Sequence, residues 1–415
     1  MRLTIEQMAK ASRAAAMQLA RLTNADKNAC LRALADGIEN GAAKIRGANE
    51  KDVRAASEAG LGDAKLRRLM LSDTAIRQMA EGLRQVAELP DPVGQITREY
   101  TVPSGLTVRR MRCPIGVILM IYEARPNVTI DAFALCFKSG NACILKGGRE
   151  ATESNRMLAE MAQSALSARG IPVEAVTLLT TSDREEIKSL LRLEAYIDLV
   201  IPRGGTELIR FVHEHSRIPM VQHFHGVCHI FVDVSADLDR AVEVCATAKT
   251  SGPATCNAAE CLLVHEKIAP LFLPKLAERL ARDRVELRGD EQACKLVPSA
   301  KLAGEDDWGR EYLDLILACR VVPDIGAAIT HIHRYGSNHT DAILTNDPAS
   351  MKRFLEEVQS SCTLVNASTR FNDGFQLGLG AEIGISTSKI HAYGPMGLEE
   401  LTTQRFVVEG GYHTR

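Results

Sequence analysis

The feature that most constrains the fold is a series of short apolar segments that alternate with helix-like segments. Strands are predicted at residues 115–122, 142–146, 176–179, 197–201 and 229–232. Continuous apolar strands joined by helices are typical of a parallel sheet that is covered on both faces. Ligands bind such sheets at the carboxyl ends of the strands, so the residues that follow these strands are the first candidates for a site.

Two further patterns precede this series. Residues 4–88 are rich in Ala, Leu, Arg and Glu with helical spacing of apolar residues, and Asn24 and Ser72 are predicted helix caps. Residues 98–112 alternate polar and apolar side chains around a Pro-Ser-Gly turn, which predicts a β-hairpin. The chain is therefore expected to begin with helices and to continue with a hairpin.

The alternation of helices and strands resumes after residue 236 and predicts a second α/β lobe. A helix is predicted over 237–248 and a strand over 259–265. Further helices and strands are predicted at 268–282, 321–322, 341–344 and 351–358. A chain of 415 residues exceeds the size at which one hydrophobic core keeps growing, so two or three domains are expected.

Composition excludes several classes of protein. Apolar residues make up 46% and charged residues 25% of the chain, and the net charge of -2 is that of an ordinary globular enzyme rather than a nucleic-acid binder. No segment approaches the roughly 20 apolar residues that cross a bilayer, and the N-terminal region lacks the apolar core of a signal peptide. We therefore expect a cytoplasmic protein.

The 11 cysteines and the histidines do not form a recognisable metal motif. The cysteines are scattered without a C-x-x-C pair, which fits neither a disulfide framework nor a zinc site. His223 and His225 would face the same side of a strand, a spacing that metals use, but no carboxylate or cysteine completes a ligand set. We predict reduced thiols and no metal site.

One cysteine stands apart because of the loop around it. Cys256 belongs to the segment Ser-Gly-Pro-Ala-Thr-Cys-Asn at 251–257, between a predicted helix and a predicted strand. Small neighbours let a substrate carbonyl approach a thiolate and let backbone N–H groups turn toward the oxyanion that forms. The alternative is that Cys256 only fills the core, as most cysteines do. Core positions are predicted for Cys136, Cys143, Cys228, Cys245, Cys261 and Cys319.

Two glycine turns directly follow predicted strands. They are formed by Lys146, Gly147, Gly148 and Arg149, and by Arg203, Gly204 and Gly205. Glycine lets the backbone approach a ligand closely, and a helix that begins just afterwards directs N–H groups at an anion, so phosphate binding is predicted. The alternative for either turn alone is an ordinary strand-to-helix connection. The segment 378–384 has one residue too many for a dinucleotide fingerprint and is not interpreted as one.

A polar segment follows the first strand of the sheet. The amide of Asn127 would donate a hydrogen bond to a developing oxyanion, and Arg125 would hold a carboxylate or phosphate. The alternative is a plain turn in which Asn127 caps the next helix.

Together these motifs resemble the aldehyde dehydrogenase superfamily and, within it, the branch that reduces glutamyl phosphate. The resemblance covers nearly the whole chain and is carried by residues 114–118, 122–129, 140–148, 202–205 and the loop around Cys256. It implies an α/β fold that is aldehyde-dehydrogenase-like, with two three-layer α/β lobes and a small β oligomerisation arm. The implied cofactor-binding domain comprises 1–97 and 113–232, the catalytic domain 233–390, and the arm 98–112 and 391–415.

The resemblance also implies a role for each candidate residue. Cys256 matches the family's nucleophile, Asn127 its oxyanion amide, and Lys146 the lysine that contacts the adenosine ribose of the cofactor. Glu311 is similar to the glutamate that holds the nicotinamide ribose. The implied cofactor-binding set is Lys146, Gly147, Gly148, Arg149, Arg203, Gly204, Gly205 and Glu311, and the implied substrate-binding set is Arg125, Ser251 and Thr255. The hairpin and the C-terminal strand at 405–409 are expected to pair across subunits, which implies a homodimer or a larger homo-oligomer.

The activity implied by the resemblance is the NADPH-dependent reduction of L-glutamyl 5-phosphate to L-glutamate 5-semialdehyde through a cysteine thioester. This is the second step of proline biosynthesis from glutamate, so the upstream glutamate kinase is an expected partner. The general-base glutamate of hydrolytic relatives would fall near His223, and its absence fits a reductase because only hydrolysis requires that base. Arg149 would suit a 2'-phosphate, which favours NADPH.

Two alternatives to this activity remain open from the sequence. The first is another superfamily member, either a semialdehyde dehydrogenase or an acyl-CoA reductase. The second is a regulatory or scaffolding protein that binds a nucleotide without chemistry.

Overall fold

The computed structural model describes residues 3–221 and 225–415, apart from the side chains of residues 63 and 64, and the chain forms two units. Unit 1 comprises Met1–Gln222, Leu379–Gly384 and Met396–Arg415, and unit 2 comprises His223–Gly378 and Ile385–Pro395. Within the described ranges, no helix combines the length and the apolar character that crossing a membrane requires.

Unit 1 begins with the five helices of the N-terminal region. They are α1 (Ile5–Leu19), α2 (Asn24–Asn40), α3 (Ala42–Glu58), α4 (Asp63–Leu69) and α5 (Asp73–Glu88). The predicted cap Ser72 is confirmed, because its hydroxyl accepts a hydrogen bond from the Ala75 amide at 3.2 Å. The prediction for Asn24 is wrong by one residue. Thr23 is the cap. The Asp26 amide donates to the Thr23 hydroxyl, and the Thr23 amide donates to the Asp26 carboxylate.

The predicted hairpin follows these helices. It consists of β1 (Ile96–Thr101) and β2 (Thr107–Pro114), which pair antiparallel. Gly105 adopts a φ of +90° in the connecting turn, a conformation that glycine tolerates best. All six residues of β1 are exposed, so this strand buries no face within the chain.

The sheet of unit 1 confirms the prediction of a parallel sheet for four of its five predicted strands, whereas the predicted strand at 229–232 belongs to the sheet of unit 2. Its strands are β3 (Val117–Tyr122), β4 (Ala142–Lys146), β5 (Val176–Leu178) and β6 (Leu199–Arg203), in the spatial order β5-β4-β3-β6. The connecting helices are α6 (Val128–Lys138), α7 (Thr152–Ser167), α8 (Arg184–Leu190) and α9 (Thr206–His215). All six residues of β3 are buried, which requires protein on both faces of the sheet.

Unit 2 contains a second parallel sheet with seven strands. In chain order they are β7 (Cys228–Val232), β8 (Ala259–His265), β9 (Glu286–Gly289), β10 (Lys301–Leu302), β11 (Ile316–Val322), β12 (Thr340–Leu344) and β13 (Cys362–Val365). Their spatial order is β10-β9-β11-β8-β7-β12-β13. The helices are α10 (Leu238–Thr250), α11 (Ala269–Arg282), α12 (Glu291–Leu296), α13 (Ile325–Tyr335) and α14 (Pro348–Glu357).

The two faces of this sheet are buried in separate hydrophobic clusters. Alternate residues of β8 divide between them: Leu262 packs into the cluster that contains residues of α10 and α11, whereas Leu263 packs into the cluster that contains residues of α13 and α14. Because successive side chains of a strand point to opposite faces, this division shows a three-layer arrangement of helices, sheet and helices.

The C-terminal segments complete both units. They contain β14 (Gly384–Ser386), β15 (Gly394–Met396) and β16 (Thr402–Glu409). Strand β16 pairs antiparallel with β2 along its whole length, from Thr402 opposite Pro114 to Glu409 opposite Thr107. The family resemblance implies this pairing between subunits, whereas the structure forms it within one chain.

Candidate active site

The loop of Cys256 connects α10 to β8 in unit 2, and an ion pair closes it. Lys249 near the end of α10 donates a hydrogen bond from Nζ to Oε2 of Glu260 in β8 at 2.7 Å. Both side chains are completely buried. Because breaking a buried pair would leave an uncompensated charge, this contact holds together the two ends of the loop.

The burial of the cysteines agrees with the sequence prediction. All six cysteines predicted in the core are buried, and Cys30 in α2 is buried as well. Cys256 is half-buried, as are three others, Cys113, Cys294 and Cys362. Partial exposure is what a nucleophile requires, since a substrate must reach the sulfur.

The segment before β7 lies directly against the backbone of Cys256. A Cβ atom on Gly226 would lie 2.0 Å from the Cys256 carbonyl oxygen, so only glycine permits this approach. The thiol of Cys228 donates to the same carbonyl oxygen at 3.2 Å. The predicted position His223 lies outside the described residues, and His225 is exposed at the start of this segment.

Glu311 also lies next to the Cys256 loop, where it contacts Gly226. Its Oε1 accepts a hydrogen bond from the Gly226 amide at 2.9 Å, and Gly226 contacts the backbone of Cys256. Burial raises the pKa of Glu311, and the hydrogen bond from Gly226 opposes this rise. Within unit 2 the structure therefore gathers Cys256, Ser251, Thr255 and Glu311 around one loop.

A residue that the sequence analysis did not select also contacts this loop. Arg370 donates from Nη1 to the Thr255 hydroxyl at 2.7 Å and from Nε to the Ser251 hydroxyl at 3.3 Å. It also donates to Oδ1 of Asn257. No local motif marks Arg370, because it lies more than a hundred positions along the chain from the residues that it contacts.

The first glycine turn lines a cavity of about 670 Å³ in unit 1. The residues of this turn that line it are Lys146, Gly147, Gly148 and Arg149. A Cβ on Gly147 would lie 2.1 Å from Nδ2 of Asn155, and a Cβ on Gly148 would lie 2.1 Å from Oε1 of Glu150. Gly147 therefore requires glycine, since Asn155 is buried and hydrogen-bonded, whereas the end of the Glu150 side chain beside Gly148 can move.

Lys146 is buried at the end of β4. Its Nζ donates to the Gly147 carbonyl oxygen at 2.5 Å, which turns the ammonium group toward the glycine turn. Burial lowers the pKa of Lys146, and the charge of Glu150 opposes this effect. Arg149 is exposed, and none of the ion pairs among the described residues includes it.

The second glycine turn is arranged differently. The Gly205 amide donates to Oε2 of Glu123 at 3.2 Å, so a carboxylate of the chain itself occupies the place predicted for a phosphate. The side chain of Arg203 lies beside Gly384, where a Cβ would be 2.8 Å from Nη1. Arg203, Gly204 and Gly205 are not among the described residues that line the 670 Å³ cavity.

Asn127 lies at the start of α6 in unit 1, but its side chain does not cap the helix. Instead its Nδ2 donates to Oδ2 of Asp131, one helical turn later, at 2.9 Å. A carboxamide nitrogen carries two hydrogens, so the bond to Asp131 orients the amide and leaves one hydrogen for a substrate oxygen. Arg125, two residues earlier, is exposed.

The ionisation of Asp131 predicts a pH dependence of stability. Burial raises the pKa of Asp131 to about 6, although Asn127 and Arg203 favour its ionised form. The folded protein then binds more protons than the unfolded chain between about pH 4 and 6, so rising pH in this window destabilises the fold by up to about 3 kcal/mol. We expect Asp131→Asn, which stays neutral, to gain thermal stability relative to the natural protein between pH 4.5 and 7.5.

Melting temperatures of both proteins across this range check the expectation, with Asp73→Asn as the control because Asp73 lies on the surface. A constant difference between Asp131→Asn and the natural protein would contradict it.

A buried histidine and cysteine group in unit 2 has the composition of a metal site. The ligand atoms of His229, Cys261 and His331 lie within 4.8 Å of one another. However, Arg320 donates to Nδ1 of His331 at 3.1 Å, which leaves the hydrogen of the neutral ring on Nε2, facing the Cys261 sulfur at 3.6 Å. Burial, His229 and nearby arginines lower the pKa of His331 to about 2. The group is therefore a hydrogen-bonded cluster beside a positive charge.

Comparisons with known proteins place the chain in a family. The model of the aldehyde dehydrogenase family matches residues 2–306. A gamma-glutamyl phosphate reductase of Geotalea daltonii is 52% identical over 406 residues, which cover 98% of this chain and 97% of that protein. A second one, from Xanthomonas campestris, is also 52% identical, over 98% of this chain and 99% of the relative.

The solved structures agree with this assignment. The crystal structure of gamma-glutamyl phosphate reductase from Thermotoga maritima superposes with a TM-score of 0.97 at 44% identity, and all of both chains is covered. An acetylating aldehyde dehydrogenase from Geobacillus thermoglucosidasius shares the fold with a TM-score of 0.71 at 16% identity, covering 99% of this chain and 97% of that one. These comparisons confirm the predicted aldehyde-dehydrogenase-like α/β fold. The chain therefore belongs to the aldehyde dehydrogenase family and, within it, to the gamma-glutamyl phosphate reductases.

Proposed function

We propose that this protein reduces L-glutamyl 5-phosphate to L-glutamate 5-semialdehyde and phosphate, with NADPH as the reductant. The observation that carries the proposal is the half-buried Cys256 in a loop of small residues, in a chain that matches named gamma-glutamyl phosphate reductases over nearly its full length. The reaction would be the second step of proline biosynthesis from glutamate, downstream of a glutamate kinase.

In the proposed first step, the Cys256 thiolate attacks C5 of the substrate. The sulfur–carbon bond forms, an oxyanion develops on the carbonyl oxygen, and the bond to the phosphate breaks to leave a thioester. The oriented amide of Asn127 and the backbone N–H of Cys256 donate to the oxyanion. The bonds from Gly226 to Glu311 and from Cys228 to the Cys256 carbonyl keep the loop backbone in place for this role.

A nicotinamide cofactor would supply a hydride for the thioester carbon when bound. The residues of unit 1 fit a dinucleotide, because Lys146, Gly147, Gly148 and Arg149 line one cavity and the ammonium group of Lys146 lies beside the glycine turn. Glu311 would hold the nicotinamide ribose. After reduction, the sulfur–carbon bond breaks, Cys256 regains its thiolate and the aldehyde leaves.

Arg149 carries the proposed preference for NADPH over NADH. It lines a second cavity of about 830 Å³ together with Lys65, Asp52 and Glu150. The exposed guanidinium of Arg149 would pair with the 2'-phosphate that distinguishes NADPH from NADH.

A coupled assay with enzymically generated glutamyl phosphate tests the proposal by comparing the consumption of NADPH and NADH. The reverse oxidation of the semialdehyde separates the alternatives, because only acyl-phosphate chemistry requires inorganic phosphate and an acyl-CoA reductase requires coenzyme A. Oxidation that proceeds without phosphate would reject the proposed reaction.

The arm formed by β1, β2 and β16 is the proposed assembly surface, with a second copy of this chain as its partner. Exposed apolar side chains support this proposal, namely Ile96, Tyr100, Phe406 and Val408. Unpaired strand edges with apolar side chains are rarely left open to solvent. The molar mass in solution tests it, since a monomer at micromolar concentration would reject it.

A further inference from the structure

Arg370 is built into the loop of the candidate nucleophile. It belongs to a short 3₁₀ turn, Thr369–Phe371, and its guanidinium contacts three side chains of the loop: Ser251, Thr255 and Asn257. Two of these, Thr255 and Asn257, are the immediate neighbours of Cys256 in the chain.

Two further features of the loop, at Asn257 and Gly252, contribute to the placement of Arg370. The Nδ2 group of Asn257 donates to the carbonyl oxygens of Arg370 at 3.4 Å and of Asn372 at 3.0 Å. A Cβ on Gly252 would lie 3.1 Å from Nη2 of Arg370, closer than most real Cβ contacts. The absence of a side chain at Gly252 therefore leaves this face of the guanidinium open.

The charge of Arg370 has no counter-ion within the part of the chain that the structure describes. The ion pairs of unit 2 there join other residues, and the side chains that accept from Arg370 are two hydroxyls and an amide oxygen, all neutral. None of these bonds uses Nη2. A guanidinium with free donors on one side matches the two oxygens of a carboxylate or phosphate.

We propose that Arg370, with the hydroxyl of Ser251, forms a subsite for an oxoanion of the substrate. The inference rests on the proposed function, because glutamyl phosphate carries two such groups, the α-carboxylate and the phosphoryl group on the reacting carbon. The subsite holds its anion one residue from Cys256 and so sets the distance of the substrate from the sulfur. Thr255 positions the guanidinium rather than the anion, because its hydroxyl accepts from Arg370 and donates its own hydrogen to the Gly252 carbonyl oxygen at 2.7 Å.

The reverse reaction tests this subsite, because phosphate and the semialdehyde are then separate substrates with separate KM values. We expect Arg370→Gln to raise the KM for one of them by roughly 10- to 100-fold, the worth of charge-assisted hydrogen bonds. Arg370→Lys keeps the positive charge but loses the paired N–H donors of the guanidinium, so a smaller rise in KM is expected. A higher KM for the semialdehyde assigns the α-carboxylate, and a higher KM for phosphate assigns the phosphoryl group.

The control is Arg240→Gln, since the side chain of Arg240 is 88% exposed and pairs only with Asp237 on its own helix. It is expected to leave both KM values unchanged. If both KM values also stay unchanged in Arg370→Gln and only kcat falls, Arg370 merely holds the loop and the subsite is rejected. If Arg370→Gln does not fold, Arg370→Lys decides by the same criteria.

Binding measurements test the subsite independently of catalytic activity. Inorganic phosphate and L-norvaline, which has the α-carboxylate but no second acid, are titrated into the full-length protein and Arg370→Gln by ligand-observed NMR. At least a 10-fold loss of affinity for one probe in the variant supports the subsite. Equal affinities for both probes overturn it. If the protein does not oxidise the semialdehyde but binds a probe in an Arg370-dependent way, the proposed reaction is rejected and the subsite is supported.

Discussion

Replacement of Cys256 by alanine is expected to abolish turnover and to leave cofactor binding intact. The proposed reaction passes through a covalent bond to this sulfur, and a chain without it has no other route to the thioester. A loss on the order of 10⁴-fold or more in kcat is expected, as for other residues that form a covalent intermediate. Steady-state kinetics and NADPH titration by fluorescence measure the two effects.

Cys294→Ala is the matched control for this prediction. Cys294 is also half-buried and lies in unit 2, but its thiol donates to the Gly289 and Ala300 carbonyl oxygens in another part of the unit. The control should keep near-normal activity. Substrate should also slow the alkylation of Cys256, and mass spectrometry of the quenched reaction should find an acyl adduct on it. Near-normal turnover of Cys256→Ala would remove the mechanism.

Replacement of Asn127 by alanine is expected to lower kcat on the order of 10²- to 10³-fold, the usual worth of one oxyanion donor. The structure strengthens this expectation, because the bond to Asp131 orients the amide and the side chain is not used as a helix cap. The amide would bind the developing oxyanion more strongly than the ground-state carbonyl, so kcat should fall with little change in KM.

Asn346→Ala is a suitable comparison for Asn127→Ala, because Asn346 is exposed and its side-chain amide donates to the Ser235 carbonyl oxygen at 2.9 Å. It should retain the natural kcat. An effect of Asn127→Ala that is confined to KM would argue against the oxyanion role and would favour simple substrate binding.

The strands and helices were predictable where the local pattern was strong. The six apolar residues of β3 lie within a predicted strand, and so do the seven residues of β8, where five apolar residues accompany Glu260 and His265. Nearly continuous apolar runs of this kind are typical of buried parallel strands. Strands β9 and β13 were missed. Both are short and contain half-buried or polar residues, so no apolar run distinguishes them from loops.

The candidate site was only partly predictable. The loop of small residues around Cys256 and the glycines at 147 and 148 are local features, and local sequence is enough to recognise them. The bond between Asn127 and Asp131 was also accessible in principle, since residues four apart face each other on a helix. The environment of Gly205 was not predictable, because its backbone amide donates to Glu123, which lies 82 positions away in the chain.

Local sequence patterns were enough to predict the type of each strongly patterned element, the position of the reactive loop and the family. These depend on side-chain periodicity and short motifs, which are properties of neighbouring residues. Only the tertiary structure decided the order of the seven strands of unit 2, the approach of Gly226 to Cys256 and the placement of Arg370 against Thr255. Such contacts join distant segments, and the packing of the sheet, rather than any local preference, brings those segments together.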